Sequence, residues 1–326
     1  TISAAATATA SNLTLAVNPA VAANASEGII YVSGNAGVAA TISGGISART
    51  ITKTGAGELI LSGSNGIYGA LTVNNGTLTL GSSSASTKLT TALVLNDTAK
   101  LNVNGGNATF ASLSGTVGVV GNASTATNRT LTISGLTNTT FLGNIVDAIN
   151  GGNKTTGLIK NGTNTLVLGN ITANNTYANQ NSFTGGVTIN QGQLTVQDPL
   201  GLGGANGSTP GTVTLNGGIL ALNSNGGGPN GTIIFGNQAS NGINVSVTGP
   251  GAINVDRVGA NTGNQVQIGN LSLANNTLTL TGGNSYSLKV AGTATLNGGD
   301  ANVNTASGGA SFLELSGVVG GAAGLN

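Results

Sequence analysis

Short segments in which apolar and polar residues alternate run along the entire chain. Each contains four to six aliphatic or β-branched residues at period two and is closed by Gly or Asn, which adopt turn conformations at low cost. These segments are 13-LTLAV, 28-GIIYV, 59-LILSG, 77-TLTLG, 131-LTISG, 165-TLVLG, 212-TVTLNGG, 244-NVSVTG, 277-TLTLTGG and 293-TATLNGG. Helical periodicity is missing, and only 145-IVDAIN could form a helical turn. The pattern predicts an all-β protein with the architecture of a sandwich, a propeller or a solenoid.

Internal repetition distinguishes between these architectures. The segments 51–81 and 158–196 align so that Lys53 matches Lys160. After a longer polar turn in the second copy, 73-VNNGTL matches 189-INQGQL, so the offset between the copies is larger in this part than at the lysines. Propeller blades recur at one nearly constant period, so these unequal offsets favour a β-solenoid whose coils vary in length.

The last residues of the chain resemble the segments that precede the two copies. The first copy follows 42-ISGGISARTITKTG, and the second follows 141-FLGNIVDAIN. The final segment, 315-LSGVVGGAAGLN, stops where a third Lys-x-Gly motif would begin. We therefore expect residues 1–326 to form a single β-solenoid that is part of a longer array.

The residues of the two copies resemble a known repeat. The first copy contains 53-KTGAG, 59-LILSG, Tyr68-Gly69 and 73-VNNGTL in that order, and the second copy contains 183-FTGGVTIN. This order is similar to the passenger-associated, or autotransporter-associated, β-strand repeat. The resemblance implies a right-handed parallel β-helix that is secreted and displayed outside a bacterial cell. It supplies no catalytic residues.

Composition removes most catalytic chemistries. Gly occupies 56 positions, and Gly, Thr, Asn and Ser together form about half of the chain, whereas Cys, His, Met and Trp are absent. The chain therefore has no thiol or imidazole nucleophile, no His or Cys metal ligand and no disulfide. Charged residues make up 5% of the chain and the net charge is +1, which cannot neutralise a row of phosphates, so no nucleic-acid partner is expected. No run of 18 apolar residues occurs, and the sequence predicts no membrane-spanning helix.

Carboxylates are the remaining candidates for catalysis. A β-helical polysaccharide lyase or hydrolase needs two acids within a coil or one coil apart, so that the carboxylates meet at about 5–9 Å. Consecutive acids here are mostly farther apart in the sequence than one coil, and 298-GGDAN matches only part of a calcium-binding nonapeptide. We therefore expect no catalytic, metal or cofactor site. The eight acids are Glu27, Glu58, Asp97, Asp147, Asp198, Asp256, Asp300 and Glu314.

The repeat also predicts which side chains form the core. Lys53 and Lys160 are expected to keep their ammonium groups in water at strand ends, and the matching Tyr68 and Phe183 to cap the core beside a loop. Asn residues stacked at successive corners are expected to form hydrogen-bonded ladders. The leucines predicted to be buried are Leu59, Leu61, Leu166 and Leu168.

Two functions remain open. The first is a non-enzymatic structural protein of the bacterial cell surface that associates with copies of itself, end to end or by strand addition, into an extracellular filament or surface layer. The second is an adhesin-type autotransporter passenger domain that binds surface glycans or proteins of host or neighbouring cells. The nearly uncharged surface favours the first, and the family resemblance favours the second. Both predict a secreted, extracellular or cell-surface location.

Overall fold

The computed structural model describes residues 2–4, 9–10, 27–33, 39–44, 46–63, 66–67, 69–81, 91–169, 181–237, 239, 241–297, 302–305 and 312–321. Within these ranges nearly all regular structure is parallel β-strand, with a short 3-10 turn at Ala205–Gly207. Among the described residues, no helix has the length and apolar character needed to span a membrane. The chain divides into two compact units, Thr1–Gly157 and Leu158–Asn326.

The first unit consists of strands that pair in parallel with a strand of the next coil. One sheet has the order β1-β3-β6-β9-β11-β14, and a second has the order β2-β4-β7-β10-β12-β15-β18. Leu59 pairs with Leu78, and Leu78 pairs with Leu101, so successive coils differ slightly in length. The strands are β1 (Ile2–Ala4), β2 (Thr9–Ala10), β3 (Glu27–Val32), β4 (Ala39–Ile42), β5 (Ser47–Ala48), β6 (Thr50–Thr54), β7 (Glu58–Leu61), β8 (Gly66–Ile67), β9 (Ala70–Val73), β10 (Thr77–Leu80), β11 (Ala92–Leu95), β12 (Lys100–Asn102), β13 (Ala108–Phe110), β14 (Ser112–Ser114), β15 (Val119–Asn122), β16 (Arg129–Ile133), β17 (Thr139–Phe141) and β18 (Asn144–Ala148).

The second unit repeats this architecture with longer coils. Its strands follow the orders β19-β21-β23-β26-β29-β32-β35, β20-β22-β24-β27-β30-β33 and β25-β28-β31-β34. Val187 pairs with Val213 and Val213 pairs with Val245, so here too consecutive coils are unequal in length. The strands are β19 (Thr156–Lys160), β20 (Thr165–Leu168), β21 (Val187–Ile189), β22 (Gln193–Val196), β23 (Val213–Leu215), β24 (Ile219–Asn223), β25 (Thr232–Ile234), β26 (Val245–Val247), β27 (Gly251–Asp256), β28 (Gln265–Ile268), β29 (Leu271–Ala274), β30 (Thr277–Gly282), β31 (Ser287–Val290), β32 (Ala294–Asn297), β33 (Asn302–Thr305), β34 (Leu313–Leu315) and β35 (Val319–Gly321).

Both units are parallel β-solenoids, so the predicted fold class is confirmed. Each is built by stacking coils on one another through parallel backbone pairing. The segment predicted as a possible helical turn at 145–150 mostly forms β18 instead, because Ile145 pairs with Val120 and joins the core. The expectation of one continuous solenoid over residues 1–326 stays a prediction.

The core of each unit consists of columns of apolar side chains. Because parallel strands pair in register and side chains alternate between faces, the inward residues of successive coils stack directly on one another. Leu59, Leu78, Leu101, Val120 and Ile145 form such a column, and all are completely buried. Burying each of these side chains contributes about 1.5–3 kcal/mol. The predicted burial of the four repeat leucines, Leu59, Leu61, Leu166 and Leu168, is confirmed.

Asn and Gly form the corners between strands. Seven Asn residues among those described have a positive φ, including Asn150 and Asn275, and many Gly residues share this conformation. Other Asn side chains stack between coils as predicted: in the second unit, the Nδ2 of Asn190 donates to the Oδ1 of Asn161 at 2.6 Å, and the Nδ2 of Asn216 donates to the Oδ1 of Asn190 at 3.0 Å. These ladders satisfy polar groups along the coil stack without any ligand.

Candidate functional site

Each copy of the repeat covers one corner and the corner of the next coil stacked on it. In the first copy, β6 turns at 55–57 into β7, and in the next coil β9 turns at 74–76 into β10. Lys53 of β6 pairs with Val73 of β9. In the second copy, Lys160 of β19 pairs in the same way with Ile189 of β21. The repeat therefore encodes a stacked pair of corners.

Lys53 closes the pair of corners in the first copy. Its side chain is completely buried. The Nζ atom donates hydrogen bonds to the carbonyl oxygens of Gly55 at 2.5 Å, Gly57 at 2.6 Å and Asn75 at 2.6 Å. An ammonium group carries three hydrogens, so each has an acceptor. Two of the acceptors lie in the lysine's own corner and the third lies in the next coil, so the side chain links consecutive coils.

Lys160 has the same role in the second copy with weaker contacts. It is also completely buried. Its Nζ donates to the carbonyl oxygen of Gly162 and, at 3.4 Å, to that of Gln191 in the next coil. The same position of the repeat therefore links two coils in both units.

The prediction that Lys53 and Lys160 keep their ammonium groups in water is wrong. Backbone carbonyls at a corner turn away from the strand ladder, and a buried carbonyl without a donor is costly. The lysine provides the missing donors from inside the coil. The sequence contained a signal for this placement, because Lys53 follows Ile51 and Lys160 follows Leu158 at the period-two spacing of inward residues.

Burial changes the acid–base behaviour of both lysines. Loss of water around the ammonium lowers the pKa of Lys53 to about 8, an effect that the nearby Glu58 carboxylate partly opposes. Burial likewise lowers the pKa of Lys160 to about 8. A lowered pKa makes an amine more nucleophilic at neutral pH. Here each amine is enclosed and bonded to backbone carbonyls of two coils, which is a structural contact.

A glycine at the second corner makes room for each lysine. Gly76 has φ +70°, and a Cβ at this position would collide with the carbonyl oxygen of Gly57 and with the Nζ of Lys53. Gly192 has φ +66°, and its Cβ would collide with the carbonyl oxygens of Gly162 and Asn164. The repeat therefore encodes one structural element in two parts. The Lys-x-Gly part provides the buried lysine, and the Asn-Gly or Gln-Gly part provides the corner glycine that makes room for it.

Most of the described acids are engaged separately in local structure. The Glu314 carboxylate accepts a hydrogen bond from Gln265 at 2.7 Å and pairs with Lys289 at 3.2 Å, and these contacts lower its pKa. The Asp256 Oδ1 accepts from the amide of Arg257 and from Asn284, both at 2.7 Å. Three other acids accept hydrogen bonds from nearby groups: Asp147 from the amide of Thr156 at 2.9 Å, Asp198 from the amide of Leu200 at 2.8 Å, and Glu27 from the hydroxyl of Thr52.

Strand pairing brings no two of the described acids together as a candidate carboxylate pair. No two described acids are register partners on neighbouring strands. The described residues also include no cluster of three or more acids that could hold a metal ion. The 298-GGDAN motif, which includes Asp300, lies almost entirely outside the described residues. The absence of a catalytic, metal or cofactor site stays a prediction.

The two aromatic positions of the repeat are only partly described. Phe183 is completely buried, as expected for a side chain that caps the core. The matching Tyr68 lies outside the described residues, as does most of the longer turn of the second copy, 170–180.

Comparison with known proteins identifies the two segments that contain the buried lysines. The family model of the passenger-associated-transport repeat matches residues 51–80 and 158–196. No match was found among curated proteins or among solved structures. The resemblance deduced from the sequence is thereby confirmed, with nearly the same boundaries.

Proposed function

We propose that this chain, a protein with passenger-associated-transport repeats, is a non-enzymatic structural component of a bacterial cell surface whose copies associate into a filament or surface layer. The repeat family supports a secreted or surface location. The burial of both repeat lysines and the separate engagement of the acids support a non-catalytic role. The observation that carries the assembly proposal is a column of hydroxyl groups on the second unit.

This hydroxyl column occupies one outward position on five successive strands. Each member is half-buried and is flanked along its strand by buried residues, so it faces outward. Parallel pairing spaces the members about 4.8 Å apart. The column contains no charged side chain. Its members are Thr188, Thr214, Ser246, Ser272 and Thr295.

A periodic, uncharged column suits contact with another copy of the same chain. Two identical columns have the same spacing, so hydroxyl groups of one copy can meet those of another at every coil, as polar ladders do between stacked sheets. Little charge opposes this approach, because only 5% of the residues are charged and the net charge is +1. Side-by-side association through this column is compatible with end-to-end strand addition, which also needs no ion pairs.

Electron microscopy and sedimentation velocity at low and high salt test this proposal. We expect wild-type assemblies that persist in high salt, because few charges are available for screening. The double variant Thr214→Lys/Ser272→Lys places two positive charges in each column and is expected to dissociate the assemblies. A control for added positive charge away from the column, Thr125→Lys, places a lysine on an exposed bend of the first unit and should leave the assemblies unchanged.

Three results would contradict the proposal. Wild-type protein that is monomeric under all conditions would favour the adhesive passenger instead. Assemblies that dissolve in modest salt would show that charge makes the contact. Equal effects of the column variant and the Thr125→Lys control would show that the hydroxyl column is not the interface.

A further inference from the structure

A groove lined mainly by polar residues lies on the outer face of the second sheet of the first unit. Its volume is about 430 Å³, within the range of small-ligand sites. The groove crosses three neighbouring strands and the corners that precede them. The polar residues that line it are Glu58, Asn75, Thr77, Thr98, Lys100 and Asn150.

Opposite charges occupy the two sides of the groove. Glu58, Thr77 and Lys100 are register partners on β7, β10 and β12, so two strand spacings place the backbones of Glu58 and Lys100 about 10 Å apart. The Glu58 carboxylate accepts a hydrogen bond from the hydroxyl of Thr79. Among the described residues, Lys289 and Glu314 form the one ion pair. Lys100 therefore has no ionic partner among them. The Lys100 ammonium is therefore available to an anionic ligand.

The amide of Asn75 and the hydroxyl of Thr98, which both line the groove, have fixed orientations. The Asn75 Oδ1 accepts hydrogen bonds from the amide of Gly76 at 2.6 Å and from the hydroxyl of Thr98 at 2.7 Å. Because both bonds fix the oxygen, the Nδ2 of Asn75 is oriented as a donor. The buried ammonium of Lys53 lies directly beneath Gly76. The Glu58 carboxylate partly balances its charge, so Lys100 is the cation that faces the groove.

Comparison with the second copy shows that the fold does not require these charges. The second copy keeps the buried lysine and its corner glycine, but Thr165, Gln193 and Ile219 occupy the register positions of Glu58, Thr77 and Lys100. The same architecture therefore forms without the charged pair. Lys100 in particular has no ionic partner among the described residues, and in a chain with 5% charged residues such an unpaired outward charge favours a role in binding.

We propose that this groove binds a carboxylate-bearing saccharide, such as an oligosaccharide of uronic acids. The Lys100 ammonium binds the sugar carboxylate, the Asn75 amide and the Thr98 hydroxyl bind sugar hydroxyls, and Glu58 accepts from a further hydroxyl on the other side. This binding activity goes beyond the proposed structural role and does not depend on it, since the hydroxyl column lies in the second unit.

Isothermal titration calorimetry on the full chain tests the proposal, with trigalacturonate as the acidic probe and maltotriose as the neutral one. We expect saturable binding of trigalacturonate and at least tenfold weaker binding of maltotriose. Lys100→Gln should weaken trigalacturonate binding about tenfold, and Glu58→Thr, which introduces the residue of the second copy, about threefold. The matched control Arg49→Gln removes an exposed positive charge of the same unit outside the groove and should bind normally. Circular dichroism confirms that each variant is folded.

Several outcomes would overturn the assignment. Absence of saturable heat with trigalacturonate would exclude an acidic saccharide. Equal weakening by Lys100→Gln and Arg49→Gln would indicate general charge attraction instead of a site. Equal binding of the two trisaccharides would show that the carboxylate is not recognised. None of these results would alter the assembly proposal, which is tested separately by the Thr214→Lys/Ser272→Lys variant of the hydroxyl column.

Discussion

Replacing Lys53 by Met removes the hydrogen-bond donors of the first corner pair while keeping a side chain of similar length. The carbonyl oxygens of Gly55 and Asn75 then lose the ammonium, whereas that of Gly57 keeps the amide of Thr77 at 3.4 Å. Each buried carbonyl left without a donor costs about 1–3 kcal/mol. Removing a buried charge offsets part of this loss. We expect the free energy of unfolding to fall by about 2 kcal/mol at neutral pH.

The destabilisation by Lys53→Met should grow as the pH rises. Burial lowers the pKa of Lys53 from 10.5 to about 8. Between these values the unfolded chain binds more protons than the folded one, so wild-type stability rises with pH from about 8 to 10.5. For a fully buried lysine this gap corresponds to about 3 kcal/mol. The Met variant lacks this gain at position 53, so the difference from wild type should reach about 5 kcal/mol at high pH.

Guanidinium denaturation followed by far-ultraviolet circular dichroism, at about pH 7 and about pH 10, measures both effects. Lys160→Met should cost less than Lys53→Met, because the contact of Lys160 with the next coil is 3.4 Å long. Lys154→Met changes a half-buried lysine and should stay within about 0.5 kcal/mol of wild type. A Lys53→Met variant as stable as wild type would refute the role of the ammonium as the missing donor. A loss that is the same at both pH values would refute the lowered pKa.

Three further substitutions test the corners, the ladders and the core, each by thermal or chemical denaturation. Gly76→Ala should cost about 3 kcal/mol because of its positive φ and the collision of its Cβ, whereas Gly227→Ala, with no atom within 4 Å of the added carbon, should be nearly neutral; equal costs would contradict the corner geometry. Asn190→Ala breaks both hydrogen bonds of its ladder and should cost about 1–2 kcal/mol, and unchanged stability would show that the ladder contributes nothing. Phe183→Ala should cost about 3–5 kcal/mol, and a loss below about 1 kcal/mol would show that the ring does not fill the core.

The fold was predictable because its determinants are local. Alternation at period two defines strands such as 77-TLTL, and the repeated copies show that they stack in coils instead of forming propeller blades. The same alternation identified the buried leucines. Asn and Gly at strand ends predicted the corners and the Asn ladders, because these residues tolerate turn conformations that others avoid.

Burial of the repeat lysines was missed because two local signals conflict. The alternation of Ile51 and Lys53 places the lysine inward, whereas the cost of burying a charge places it outward. The carbonyl oxygens that resolve the conflict belong partly to another coil, and one of them, that of Asn75, is 22 residues away. Their convergence becomes visible only once the register of the coils is known.

The groove was unpredictable for the same reason. Glu58 and Lys100 lie far apart in the sequence with no motif between them, and two successive coils of unequal length bring them to one face. A change of one residue in either coil would turn one of these side chains toward the core. Register, which the sequence reveals only through the repeat itself, therefore determines which polar residues can act together.

Comparison of the two copies distinguishes charged residues that the fold needs from charged residues that it does not need. Lys53 and Lys160 occupy the same position in both copies and are buried, because each donates hydrogen bonds to corner carbonyls of both coils that it links. Glu58 occurs in the first copy only. In the second copy Thr165 takes its place, and β20, the counterpart of β7, still forms. A charged residue that is present in both copies therefore stabilises the architecture. A charged residue that is present in one copy only, on an outward face, is free to recognise a ligand. By this criterion we place the proposed saccharide-binding groove in the first unit, where Glu58 and Lys100 are outward charges without counterparts in the second copy.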